Sequence, residues 1–337
     1  MTSGIRRGAR RTVSLSSEAL TTSGFLPERD EQLPLVISPA GAQIDLPTWA
    51  VGHRSELTDS LHRYGVVLFR GFDISDPQRF SAAAEAAAAE LYGDYGDLPR
   101  DEAADNIFSS TPYPADLPIH FHNESSHMAM WPTRIFFNCQ IAAQSGGETP
   151  FIDCRRLYRE LDQDLVRDLE ARGLTYVRNF GEGIDVSWQD FFGTTDRAVV
   201  EQRCAEMNTG CEWLPHDNLR IKQAAAAIRE HPVTGDKVVF NQILLHHPAA
   251  IPESTRAALL ELFDTELLPR NVTYGDGEPI PDSVVNYLLA EYDKKAVRFP
   301  WHAGDMIMLD NMLVCHGRAP FVGPRKILVA MSGIISA

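Results

Sequence analysis

Apolar residues fall in short blocks along most of this chain, and the pattern changes near Asn106. Before it, two segments have the helical period. Residues 54–64 place Leu57, Leu61 and Tyr64 on one face with Gly65 as a stop, and Asp76-Pro77 opens an Ala-rich helix over 80–91. Residues 33–37 and 66–69 read as strands between them, and 93–104, rich in Gly and Asp, as a loop. From Asn106 onward, short apolar runs separated by turn residues predict strands at 107–108, 119–121, 135–141, 150–152, 174–180, 237–240, 297–299, 306–309 and 327–335. Helices are expected over 155–171 (ended by Gly173), 253–268 and 281–292, with Asp282 or Ser283 marking the start of the last. The stretch 181–225 carries Trp188, Phe191 and Phe192 and reads as a packed insert. Many short strands with a few helices suit a β-sandwich or barrel closed on itself, with the helices packed outside.

With 337 residues and 44% hydrophobic content, one large domain can bury a sizeable core. No internal repeat or linker divides it, so residues 21–337 read as a single domain. Arg6, Arg7, Arg10 and Arg11 precede the first acid, Glu18, and no apolar stretch follows them, so residues 1–20 read as a disordered basic tail. A net charge of −15 argues against nucleic acid or an anionic membrane as partner, and no run of roughly 20 apolar residues could span a bilayer. The five cysteines, at 139, 154, 204, 211 and 315, are scattered and odd in number, which suits reduced thiols in a cytoplasmic enzyme.

The chemistry gathers at His122-Asn123-Glu124 and at the segment running from Gly304-Asp305 through Asp310-Asn311 to His316-Gly317-Arg318. Residues two apart on a strand share a face, so His122 and Glu124 could grip one ion, with His316 as a third ligand delivered at a strand end. Two imidazoles and a carboxylate on one side of an ion form the facial triad of non-haem Fe(II) oxygenases. Gly146-Gly147-Glu148-Thr149 permits a tight turn that presents a hydroxyl to an anion. Arg325 could pair with the distal end of a dicarboxylate cosubstrate through its fork of N–H groups. Lys326 is the neighbouring alternative, facing the opposite way, and Arg318 is held in reserve. His120 shares the face of His122 and could line a substrate pocket, as could His127. Asn241 and Gln242 could donate to a substrate carboxylate. His231 sits in a Pro/Gly turn and reads as structural, while the adjacent His246 and His247 should diverge rather than share a metal.

Taken together and in this order, these motifs, with His231-Pro232-x-Thr234-Gly235, resemble the TauD/TfdA family of Fe(II)- and 2-oxoglutarate-dependent dioxygenases. The likeness extends to the branch that includes the aspartyl β-hydroxylase of syringomycin assembly, through Trp131-Pro132-x-Arg134-Ile135-Phe136-Phe137-x-Cys139 and Phe240-Asn241-Gln242. It runs from about Tyr64 to Met331. The resemblance implies a double-stranded β-helix (jelly-roll) core, mainly β with flanking helices. It also implies Fe(II) held by His122, Glu124 and His316, and 2-oxoglutarate with its far carboxylate on Arg325 and Thr149. O2 completes the cofactor set, and no catalytic residue beyond the metal ligands is implied. Many family members carry Asp where this chain has Glu124, although the branch named above also uses Glu. Related halogenases have a small residue there, so halogenation is disfavoured.

The expected reaction is hydroxylation of an unactivated C–H bond in an amino acid or amino-acid-derived metabolite of secondary metabolism, such as antibiotic biosynthesis. Succinate and CO2 would be released. Desaturation or ring closure by the same ferryl chemistry is the alternative outcome. The substrate is expected to be a small molecule, either free or tethered to a peptidyl carrier protein, and a homo-oligomer is compatible with the sequence. Two rivals remain. A redox-silent Zn- or Mn-dependent isomerase or hydrolase would keep the triad and not need Thr149 and Arg325. A metal-independent binding or sensor protein would need none of these residues.

Overall fold

Four strands, Val66–Phe69, Met306–Asp310, Met130–Ile141 and Lys326–Ser336, lie side by side in that order at the centre of an eight-stranded sheet. Leu35–Pro39 and Thr21–Gly24 extend it on one side, and Ile107–Ser109 and Glu102–Ala104 on the other. All its pairs are antiparallel except that of Leu35–Pro39 with Val66–Phe69. This computed structural model describes residues 20–26, 33–41, 44–93, 102–104, 106–109, 113–181 and 186–336. The tail expected over 1–20 lies outside them except for Leu20, as does most of the loop expected over 93–104.

The sequence of the central strands explains their position. Val66, Leu68, Ile135, Phe137, Ile307, Leu309, Ile327 and Val329 enter one buried cluster. Their alternating neighbours Val67, Phe69, Phe136, Met306, Met308, Leu328 and Ala330 enter a second. Successive strand residues point to opposite faces, so a strand covered on both sides must be apolar throughout. The second cluster is closed by the helices Leu46–Gly52, Arg54–Tyr64 and Pro77–Ala88. Asp76 caps the last of these by accepting from the Arg79 amide. Gly65, at φ +73°, ends the middle one, and a Cβ there would lie 2.5 Å from Val314 Cγ2.

Across the first cluster lies a three-stranded sheet, Ile119–His122, Val314–Arg318 and Phe151–Asp153, with the second of these in the middle. The architecture is mainly β with helices outside, as the pattern predicted. A further sheet, in the order Gly210–Leu214, Asn218–Ala225, Leu174–Phe180 and Arg270–Tyr274, takes up much of the insert. There Phe180, Trp188, Phe192, Val200, Cys204 and Leu219 form a satellite core.

Four expectations need correction. The helix predicted over 155–171 is two helices, Cys154–Glu160 and Gln163–Arg172, because Asp162 turns back to accept from the Asp164 and Leu165 amides and so starts a new helix. The helix from Glu253 stops at Leu262 rather than 268, where Phe263 becomes extended. Residues 297–299 form no strand and make only a bridge between Val297 and Phe151. Glu102–Ala104, placed in a loop, is a short edge strand. The five cysteines are free thiols. Among the described residues, no helix is long and apolar enough to cross a membrane.

Candidate functional site

His122 and His316 face each other as direct partners in antiparallel strands, with their rings 4.4 Å apart between centroids. A bulge between His316 and Arg318 shifts the register beyond this pair. Glu124 does not continue the strand of His122, as the period-two argument supposed. It lies in the turn after the strand's end at His122. Two asparagines fix that turn, and sequence reasoning gave neither a role. Asn311 Oδ1 accepts from the Glu124 amide at 2.7 Å, and its Nδ2 donates to the Glu124 carbonyl at 2.9 Å and the Pro132 carbonyl at 2.9 Å. Asn123 Nδ2 donates in return to the Asn311 carbonyl at 2.7 Å. Both side chains are essentially buried, so each of these bonds replaces water that could not reach them.

The result is a set of three ligand atoms, one each from His122, Glu124 and His316, all within 4.8 Å of one another. Nδ1 of His122 lies 2.8 Å from the His120 carbonyl, which can only accept. The ring therefore carries its proton on Nδ1, and the Nε2 lone pair faces Glu124 Oε2 at 3.8 Å. This donor set fits a divalent ion of the kind held by two imidazoles and a carboxylate.

A second group, His62, His231 and Asp310, is equally close-set. Here the lone pair is engaged: His231 Nδ1 accepts from the Thr234 amide at 3.1 Å, so Nε2 bears the proton and donates to Asp310 Oδ2 at 3.1 Å. Asp310 Oδ1 accepts from the Met312 and Leu313 amides, both at 2.9 Å, and starts the turn that leads into the His316 strand. With the His231 lone pair and both Asp310 oxygens engaged in shaping the chain, the group does not offer a metal three open donors. His231 is structural, as its turn suggested.

The His122–Glu124–His316 group lines a cavity of about 740 Å3 that also contains Thr149 and Arg325. Arg325 Nε donates to the Gly147 carbonyl at 2.9 Å, and among the described residues its guanidinium forms no ion pair. Burial, with the neighbouring Arg318 charge, lowers its pKa to about 10. A buried guanidinium under that strain is stabilised by an anion. Gly147, at φ +74°, makes room for it, since a Cβ there would sit 3.0 Å from Arg325 Cδ. Trp301 Nε1 donates to Thr149 Oγ1 at 3.2 Å, which directs the threonine proton elsewhere, as a donor to a ligand. Lys326 is exposed on the opposite side of the strand. Nothing in the sequence near Thr149 pointed to Trp301.

The remaining candidates divide. His120 and Gln242 line the cavity, with His120 Nε2 donating to the Ala250 carbonyl at 2.9 Å and Gln242 Nε2 to the Asn123 carbonyl at 3.0 Å. Asn241 instead braces the metal-site turn: its amide donates to Asn123 Oδ1, and its own Oδ1 accepts from the Ile243 amide. Arg318 lines the cavity but uses its guanidinium on the carbonyls of Tyr113, Pro114 and Leu117, at 3.1, 2.5 and 2.7 Å, and so fastens that loop as part of the cavity wall. His127 lines a second, adjoining cavity. His246 and His247 diverge. His247 Nδ1 accepts from the Ala249 amide and Nε2 donates to the Ile280 carbonyl, whereas His246 packs on His127.

The family described as "Taurine catabolism dioxygenase TauD, TfdA family" matches residues 29–331. A dapdiamide synthesis protein, DdaC, of Enterobacter agglomerans is 38% identical over 276 residues, covering 82% of this chain and 84% of its own. A clavaminate synthase-like protein of Arabidopsis thaliana is 32% identical over 318 residues, covering 88% and 93%. Among solved structures, PvcB of Pseudomonas aeruginosa superposes with a TM-score of 0.55 at 12% identity over 96% of this chain and 94% of its own, a likeness of fold.

Proposed function

The chain belongs to the TauD/TfdA family of 2-oxoglutarate-dependent non-haem iron dioxygenases, and from that premise we propose that it oxidises an unactivated C–H bond of an amino acid or amino-acid-derived metabolite. The carrying observation is one cavity that joins the His122–Glu124–His316 donor set to the buried guanidinium of Arg325 and the directed hydroxyl of Thr149. A redox-silent metal enzyme would have no use for the second half of that arrangement. Iron, 2-oxoglutarate and dioxygen, when bound, supply the oxidation and release succinate and CO2.

In this reading His122 Nε2, a Glu124 oxygen and His316 would hold the iron, and Asn123 and Asn311 hold the turn that presents Glu124 beside the two histidines. Arg325 receives the far carboxylate of 2-oxoglutarate as a charge-assisted, forked pair, and Thr149 donates to the same group. Phe137, Ile327 and Val329 wall the space around these groups and limit water there. The loop fastened by Arg318 contributes Tyr113 and Leu117 to the cavity wall. Because a carboxylate occupies position 124, no ligand position is left vacant there for chloride, and hydroxylation is the favoured outcome over halogenation. The same reading takes residues 21–337 as one domain, with the 181–225 insert contributing to specificity. The likeness to a dapdiamide synthesis protein supports a place in biosynthesis.

The test is anaerobic: Fe(II) and then 2-oxoglutarate are added to apo-protein, and the weak visible charge-transfer band of the chelate is recorded. The band should appear in the wild type and weaken in Arg325→Ala. Succinate release with a panel of amino acids then identifies substrates. Iron binding without a band would remove the cosubstrate assignment and favour the redox-silent alternative.

A further inference from the structure

The cavity that contains the metal-binding set is larger than that set and a short diacid such as 2-oxoglutarate require. Its volume of about 740 Å3 lies in the range of roughly 300 to 1,000 Å3 that takes a drug-sized ligand. Away from Arg325 and Thr149, much of the wall is hydrocarbon. Leu245, Ile251, Leu259, Leu268 and Leu289 line it, with Leu117 from the loop that Arg318 fastens. His120 ties this wall to the iron site. It stands two residues before His122 on the same strand, and its Nε2 donates to the Ala250 carbonyl at 2.9 Å.

One part of the apolar wall has little protein packed against it. The helix Glu253–Leu262 buries none of its residues, although Thr255 and Leu259 border the cavity. Arg256 holds it to the helix Asp282–Lys295 through an ion pair with Asp282 at 2.7 Å, and Leu259 is left half-buried beside the empty space. That leucine loses the rest of its water only when an apolar group fills the cavity next to it. The polar side chains around the wall are already in use. Arg318 is spent on three carbonyls, and both ring nitrogens of His247 are bonded to the backbone. Arg270, which also lines the cavity, has a partner within the protein. Among the described residues lining the cavity, Glu124 is the only acid, and it belongs to the metal-binding set. An ammonium group placed against this wall would lose water and meet no carboxylate, and a carboxylate would have to compete for guanidiniums already engaged.

Building on the dioxygenase reading above, we propose that the substrate carries an uncharged hydrocarbon chain of several carbons. Leu245, Leu259 and Leu289 enclose that chain, and the substrate supplies the packing partner that Leu259 lacks. The substrate class is then an amino-acid derivative with an apolar side chain, in place of an acidic or a basic one.

The probes are the N-acetyl amides of alanine, norvaline, norleucine and glutamate, which differ only in the side chain. They are titrated by calorimetry, without oxygen, into full-length protein loaded with Fe(II) and 2-oxoglutarate. Affinity should rise about fourfold with each methylene added from alanine to norleucine, the worth of burying one such group. The glutamate amide, similar in length to norleucine but charged, should bind about tenfold or more weakly than the norleucine amide. Leu259→Ala should reduce the dependence on chain length, and Leu259→Asp should flatten it. Leu262→Asp, on the same helix but 74% exposed and outside the cavity wall, should leave it unchanged. Thermal melts and the chelate band check that each variant is folded with its iron site intact. Affinity that does not change with chain length, or a glutamate amide that binds as tightly as norleucine, would overturn the proposal. So would no binding of the norleucine amide at millimolar concentration, a chain-length dependence that survives Leu259→Asp, or an equal loss in Leu262→Asp. Absence of the chelate band in the wild type would instead strike the dioxygenase reading, and the same titration on apo-protein would still decide the apolar site.

Discussion

His122, Glu124 and His316 in one part of the fold, and His62, His231 and Asp310 in another, each bring two imidazoles and a carboxylate within 4.8 Å. Residue type and distance do not distinguish them. What differs is the use of the lone pairs. In the first group a carbonyl takes the Nδ1 proton of His122 and leaves Nε2 as a ligand. In the second, backbone amides occupy Nδ1 of His231 and one oxygen of Asp310, and the remaining pair satisfy each other. The same side chains thus make a candidate metal centre where their outer partners are acceptors, and a turn-forming network where those partners are donors.

Exchanging roles between the groups tests this contrast most strongly. Glu124→Ala should reduce succinate release to background and abolish retention of Fe(II), as measured by metal content per folded chain. Asp310→Ala should leave metal content at its wild-type value and instead cost about 3 kcal/mol of stability in urea denaturation, because three buried donors lose their acceptor. Metal loss in the folded Asp310 variant would make the two groups equivalent and sink the distinction.

Smaller effects sharpen the anion end of the same cavity. Arg325→Ala should raise the 2-oxoglutarate requirement about 100-fold, the loss of a charge-assisted, forked contact, while Lys326→Ala leaves it unchanged. The opposite pattern in steady-state succinate assays would exchange their roles. The pKa of Arg325 is lowered to about 10, so its charge is present below that value and lost above it. Affinity for 2-oxoglutarate should therefore hold up to about pH 10 and fall about tenfold per unit beyond, with proton uptake on binding in that alkaline range. Titration calorimetry in buffers of different ionisation enthalpy reads both. Thr149→Val should weaken the same affinity only about fivefold, the worth of one ordinary hydrogen bond.

How much of this could be read from sequence depended on whether the cause was local. Central strands such as Val66–Phe69 and Met306–Asp310 are apolar because both their faces are covered, and a run of four or five such residues shows that directly. His122, Glu124 and His316 were legible from spacing and motif order, but the reason Glu124 faces His122 was not. It depends on Asn123 and Asn311 reaching across nearly two hundred residues of chain. Trp301 reaches Thr149 in the same non-local way. The helix break at Leu161-Asp162 was missed for a different reason: the apolar period carries through it, and only the capping geometry of Asp162 reveals the new start. The second cavity assembles from several widely separated stretches, each unremarkable alone.

The place of Met130–Ile141 in the large sheet has a consequence for the order in which the molecule can be built. Both of its neighbours, Met306–Asp310 and Lys326–Ser336, come from the last part of the chain. During synthesis this long apolar strand must leave the ribosome with both edges open and wait until its two partners, both far downstream in the chain, have been made. His316 arrives in the same late stretch, so the metal pocket and the sheet are completed together. The enzyme's exposure to misassembly is therefore concentrated in that interval, where chaperone capture of Met130–Ile141 would have most effect.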